Sequence, residues 1–228
     1  MTSQLTLDLP CRSALGREDF MVTACNETAV AMIDRWPDWP GQAVLLHGPT
    51  GSGKSHLAAA WRTRAGGAWQ DATALDIAQV PQLVASRSLV LDHADRTSDW
   101  AALLHLVNLM REDGGYLLLL AGRPLAAWNV SLPDLRSRLA AMQTTRIAEP
   151  DDRLLSAVML KMLADRQLRA PADLVPWLAS RIERSFAAAA AIIAALDREA
   201  MREGRAVSVA LARKLLAQMP EIGDTASL

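Results

Sequence analysis

Cysteine is scarce: Cys11 and Cys25 are the only two in 228 residues. One pair cannot build a disulfide framework, so the stapled secreted scaffolds are excluded and a reducing compartment is indicated. An excess of charge of one sign is missing too. There are 24 basic and 25 acidic residues, for a net charge of −1. No global positive field favours nucleic acid, and sequence-specific DNA binding is not expected. Long hydrophobic runs are absent. The longest, Phe186 to Leu196, is too short to span a bilayer. The N-terminal Met-Thr-Ser-Gln-Leu-Thr-Leu-Asp-Leu-Pro has no basic region followed by a continuous apolar one, which argues against a secretory signal. These absences lead us to expect a soluble cytoplasmic protein without a membrane partner. Hydrophobic residues make up 51% and charged residues 21%. That suits one large core or two modest ones and argues against disorder.

The most informative segment is Gly48-Pro49-Thr50-Gly51-Ser52-Gly53-Lys54-Ser55, which fits G-x-x-x-x-G-K-[ST] at every fixed position. Small residues let backbone N–H groups turn inward around a phosphate chain. A helix starting near Gly53 points its positive end at the same anion. Lys54 reaches the outer phosphates, and the Ser55 hydroxyl can ligate Mg²⁺. An apolar run, Ala43 to His47, precedes the loop, and His56-Leu57-Ala58-Ala59-Ala60-Trp61 continues as a helix former. The nucleotide-binding set is therefore Pro49 through His56, with ADP or ATP and Mg²⁺ as cofactors. The competing reading is a plain Gly-rich turn between strand and helix.

Organisation along the chain is α/β followed by all-helical. Residues 1–16 read as an extended tail, with Leu5, Leu7 and Leu9 alternating with polar residues. Asn26 can cap a helix running to Trp36. Ser88-Leu89-Val90-Leu91-Asp92 and Tyr116 to Ala121 read as buried strands, and Thr145 to Ala148 as a last one. Trp100 to Met110 has helical spacing, and Ser131 can cap a helix from Leu132 to Leu139. Continuous apolar strands alternating with helices imply a parallel sheet covered on both faces. After Pro150 no strand pattern appears. Residues 151–166, 171–184, 185–203 and 207–218 read as helices, with start signals at Asp151, Pro171, Ser185 and Ser208. The expected division is a tail over 1–16, an α/β base over 17–149, a helical lid over 150–219 and a short tail over 220–228.

Asp92 ends the second strand and is the candidate to hold Mg²⁺ through water beside Ser55. A hydrolysing site usually also has a carboxylate that orients the attacking water. The next residue is His93, and Asp95 lies two further on. His93 could serve as a base, though a surface histidine at a strand end is the commoner occurrence. Weak intrinsic hydrolysis is expected.

This order of features resembles the AAA+ ATPases, and more narrowly their DnaA branch. Arg17 to Val22, followed by Asn26, is similar to the segment leading into that family's adenine pocket, which implies a nucleotide contact for Phe20. Gly122-Arg123-Pro124 resembles the Asp-Arg-Pro after its fourth strand. Leu132-Pro133-Asp134-Leu135-Arg136-Ser137-Arg138-Leu139 resembles its arginine-finger helix. The narrowest resemblance is to the Hda family of DnaA-related inactivators. Gln4-Leu5-Thr6-Leu7-Asp8-Leu9 resembles the tail by which that family binds the replicative sliding clamp (the polymerase beta subunit), with Gln4, Leu5, Leu7 and Leu9 as the contacts. The alternative is an edge strand packed on its own domain. A DNA-reading domain after the lid, as in DnaA, is not expected.

The resemblance implies that Arg138 acts as an arginine finger in trans, on ATP bound by DnaA. Against this stands a simple i,i+4 ion pair with Asp134. A nucleotide-dependent homodimer is left open. Some family features are missing. Leu120-Ala121-Gly122 carries no polar residue at the tip of the fourth strand, and Ala187 stands where the lid arginine is expected, with Arg184 or Arg181 as substitutes. Two other classes compete: a stand-alone ATPase of the helicase-loader kind, and a non-catalytic scaffold that binds DnaA.

Overall fold

A computed structural model describes residues 22–219. The Gln4 to Leu9 tail, Cys11 and Phe20 lie outside the described residues. Five strands form one parallel sheet: β1 (Ala43–His47), β2 (Ala68–Asp71), β3 (Ser88–Asp92), β4 (Tyr116–Ala121) and β5 (Gln143–Arg146). Their spatial order is β2-β3-β4-β1-β5. Helices α1 (Glu27–Asp34), α2 (Lys54–Ala65), α3 (Val80–Ala85), α4 (Trp100–Glu112) and α5 (Pro133–Ala140) cover it.

The central strands β1, β3 and β4 are apolar over most of their length because both sheet faces are buried there, and side chains alternate between the faces. Leu45, Leu89, Leu91, Leu117 and Leu119 join one core with Leu103 and Leu106 of α4 and Leu135 and Leu139 of α5. Val44, Leu46, Val90, Leu118 and Leu120 join the opposite core with α1, α2 and the indoles of Trp39 and Trp61. Trp39 and Trp61 stack at 5.0 Å. This is the expected α/β sheet between helices.

The C-terminal helices α6 (Asp152–Asp165), α7 (Leu174–Ala179), α8 (Phe186–Glu203) and α9 (Val209–Gln218) have their own core, built on Leu155, Leu178, Ile192, Ile193 and Leu196. Asp151, Ser185 and Ser208 cap α6, α8 and α9, each side chain accepting a backbone N–H three residues on.

Several local expectations shift. The helix expected over 171–184 shrinks to α7, because the chain turns after Ala179 to bury Ile182 and deliver Ser185 as a cap. Leu132, not Ser131, precedes α5. Pro133 takes the first helical position, where its missing N–H costs nothing, and holds Leu132 extended. Asn26 occupies the cap position of α1, but its Oδ1 accepts from the Thr23 N–H instead. That helix stops at Asp34 rather than Trp36. The last strand, expected over 145–148, spans Gln143–Arg146. Strand β2 and helix α3 were not anticipated as such. The first is half-buried along its length and the second is six residues long, so neither shows a clear period.

Candidate phosphate-binding site

Strand β1 lies between β4 and β5, where the strand order reverses direction from the β3–β4 side. The crevice beyond its carboxyl end is where open α/β sheets bind ligands, and the loop Gly48 to Gly53 occupies it. Gly48 donates its N–H to Ala121 O at 3.2 Å. A Cβ on Gly48 would meet the Ile147 carbonyl oxygen, so only glycine fits there. Gly51 and Gly53 take φ of 73° and 97°, the left-handed region that turns the loop around its own centre. Lys54 then starts α2.

The Lys54 ammonium is folded into the loop, donating to Gly48 O and Pro49 O at 2.7 Å each. Burial pushes its pKa down from 10.5, partly offset by the carboxylates of Asp92 and Asp95. A desolvated cation inside a ring of backbone is well disposed toward an anion. The Ser52 hydroxyl is buried without a hydrogen-bond partner. The cradle, the cation and the orphaned hydroxyl fit a bound polyphosphate. Ser55 is exposed one residue into the helix, and His56 lies beside it, half-buried. Among the described residues no group of three or more His, Cys, Asp or Glu side chains could hold a metal ion. A cation here would depend on phosphate oxygens and water as well as on Ser55 and Asp92.

The strand-end acids are arranged side by side. Asp71 of β2 is in register with Asp92 of β3. His93 has a left-handed φ of 55°, and its Nδ1 lies 3.1 Å from Asp71 Oδ2. A carboxylate only accepts, so Nδ1 carries the proton. Burial opposes ionisation of Asp71, but hydrogen bonds from the Thr73 hydroxyl and amide and from His93 outweigh it and lower the pKa. Asp95 is buried and committed elsewhere: it accepts from Gly122 N at 3.2 Å and from Arg123 Nε at 3.3 Å. Neither Asp71 nor the Asp95–Arg123 pair was singled out from sequence. The A-W-Q-D ending of β2 repeats the strand-to-acid pattern of β3 and was the available signal.

Arg138 is far from this loop. It lines a cavity of about 230 Å³ with Ala43 and Leu117, the first residues of β1 and near-first of β4. The phosphate loop leaves the other end of β1, a strand length of about 13 Å away. The Arg138–Asp134 pair is formed, at 3.2 Å. Arg136 donates to Val130 O at 2.6 Å. In the helical region, Arg184 is exposed and paired with Asp152 at 3.0 Å. Arg181 lies over the Trp177 ring at 4.6 Å. Neither is directed at the loop. Ala187 sits against it instead: a Cβ on Gly51 would lie 2.8 Å from Ala187 Cβ.

No family model and no curated protein matches the sequence. Solved structures match its fold. Domain III of the Thermotoga maritima replication initiation protein DnaA superposes with a TM-score of 0.76 at 17% identity, over 92% of this chain and 98% of that one. AMPPCP-bound DnaA from Aquifex aeolicus gives 0.61 at 17% identity, over 72% and 59%. The Thermotoga maritima RuvB Holliday junction branch migration motor gives 0.69 at 13% identity, over 89% and 71%. At these identities the likeness is one of fold: the chain has the AAA+-type architecture of a parallel α/β sheet followed by helices. No helix among the described residues is long and apolar enough to cross a membrane.

Proposed function

We propose that this chain is a nucleotide-binding AAA+ regulator of replication initiation that contributes an arginine to another protein's ATP. In this reading the loop from Pro49 to His56 holds ADP or ATP, and Ser55 and Asp92 hold Mg²⁺ through water. The base runs over 17–149 and the lid over 150–219. The tail residues Gln4, Leu5, Leu7 and Leu9 dock on the sliding clamp, and Arg138 stabilises charge developing on DnaA-bound ATP.

The observation that carries the reading is the position of Arg138. It lies half-exposed at the sheet edge opposite its own phosphate loop, so it cannot serve that loop's ligand. A second chain could receive it. The loop's own surroundings support weak self-hydrolysis. His93 is tied to Asp71, Asp95 is spent on Gly122 and Arg123, Ala121 is apolar and Ala187 carries no charge. No carboxylate among these is left to orient water, which disfavours a stand-alone motor.

The test is turnover of DnaA-bound ATP with and without this protein, in the presence of DNA-loaded clamp. Stimulation that disappears when residues 1–9 are deleted, with thermal stability unchanged, is the expected result. Several turnovers per second by this protein alone, in the ordinary enzyme range of about 1–10³ per second, would refute it.

A further inference from the structure

The first residue of α8 is fastened to the phosphate loop by a main-chain bond. The Phe186 N–H donates to Gly51 O at 3.1 Å. The flanking residues are small and closely seated: a methyl group on Gly51 would lie 2.9 Å from Ser185 Cβ as well as 2.8 Å from Ala187 Cβ. The Ser185 hydroxyl accepts the Ala188 N–H at 3.0 Å and so caps the helix. This lid-to-loop junction is made by backbone and small uncharged side chains. None of them carries a charge that would register a third phosphate.

The bond also orients the loop. In a trans peptide the C=O and the following N–H point in opposite directions. Holding Gly51 O toward α8 therefore turns the Ser52 N–H inward. That N–H donates to Pro49 O at 3.3 Å, the same carbonyl that receives the Lys54 ammonium, and so closes the turn of the loop. One rigid peptide thus connects the lid on its outer side with the loop interior on its inner side.

We infer that the Phe186 N–H is a positioning group for the phosphate loop. By fixing the Gly51 carbonyl it holds the Gly51–Ser52 peptide, and with it the turn that the Ser52 N–H closes on Pro49 O, in the form that cradles phosphates; this slows departure of the nucleotide, equally for a diphosphate and a triphosphate. This rests on the nucleotide-binding reading above.

The experiment compares two variants of the full chain. Phe186→Pro deletes the N–H at the first position of a helix, where proline is tolerated. Ser185, at φ −136° and ψ 147°, already has the extended backbone that must precede proline. Phe186→Ala removes the ring and keeps the N–H. Release of fluorescent N-methylanthraniloyl ADP and ATP is followed by stopped-flow chase. Phe186→Pro should release both about tenfold faster, the worth of one hydrogen bond, while Phe186→Ala releases at the wild-type rate. Equal rates for the two variants overturn the inference, and so does acceleration of the triphosphate alone. If the wild-type chain binds neither nucleotide, the nucleotide-binding reading fails and the latch fails with it, a result distinct from binding with equal release. Hydrogen exchange needs no variant. By reciprocity of coupling, ADP should slow exchange of the wild-type Phe186 amide, and an unchanged rate overturns the inference even where the proline variant does not fold.

Discussion

Asp95 and Arg123 form an ion pair at 3.3 Å in which only one partner is buried: the Asp95 side chain is 2% exposed and that of Arg123 is 55% exposed. The pair ties the turn after β3 to the turn after β4. Its asymmetry makes the two ends unequal to mutation. Arg123→Ala leaves a desolvated carboxylate with the Gly122 N–H as its remaining side-chain partner and should cost about 2–3 kcal/mol. Asp95→Asn keeps an acceptor and frees an arginine that water already reaches, and should cost about 1 kcal/mol. Urea unfolding of both variants checks the order; a larger loss for Asp95→Asn would contradict it.

Lys54→Ala should abolish stabilisation by ADP while the fold survives. In the wild type, ligand at about a hundredfold excess over Kd adds about 2.7 kcal/mol. The variant loses the ammonium that Gly48 O and Pro49 O hold within the loop. Differential scanning with and without ADP reads the difference. Equal thermal shifts in wild type and variant would mean that the nucleotide binds elsewhere.

Arg138→Ala should leave nucleotide binding intact and melting nearly so, since an exposed i,i+4 pair with Asp134 is worth about 0.2–0.5 kcal/mol. Stimulated hydrolysis of DnaA-bound ATP should nevertheless fall by about 10³–10⁵, the range of arginine fingers in GTPases. Arg138→Lys should restore little, because an ammonium lacks the planar fork. Normal stimulation by Arg138→Ala would leave the Asp134 pair as the residue's whole role.

His47 predicts a pH dependence. Burial first, then the charges of Arg146 and Lys54, hold its pKa below the ordinary 6.5. The folded protein therefore takes up this proton less readily than the unfolded chain, and stability rises with pH where the unfolded state binds more protons. The contribution is full above 6.5 and is lost as pH falls through the lowered value. His47→Gln should flatten the stability curve between about pH 8 and about pH 5. Parallel curves for wild type and variant would show that other groups govern this range.

Much of the fold was legible because its signals are local. Strands β3 and β4 announce themselves by apolar runs of strand length, and Asp151, Ser185 and Ser208 by cap chemistry that needs only a backbone N–H three residues away. The phosphate loop is likewise contiguous: Gly48, Gly51, Gly53 and Lys54 specify their own backbone path. The half-buried β2 and the six-residue α3 were harder to read, since neither is long enough to display a period.

What the amino-acid sequence determined by itself is the loop, the polarity of the strands around it and the change from α/β to all-helical after Pro150. Each depends on backbone conformation and burial over a few neighbouring residues. Only the tertiary structure decided that Arg138 stands at the opposite sheet edge from Lys54, that His93 turns to Asp71, that Asp95 is consumed by Arg123, and that Ala187 and the Phe186 N–H close on Gly51. The sequence separation between these partners is 22 residues for His93 and Asp71, and 135 for Phe186 and Gly51. Their meeting follows from the strand order β2-β3-β4-β1-β5 and from the packing of α8 against the loop, and neither leaves a periodic trace in the chain.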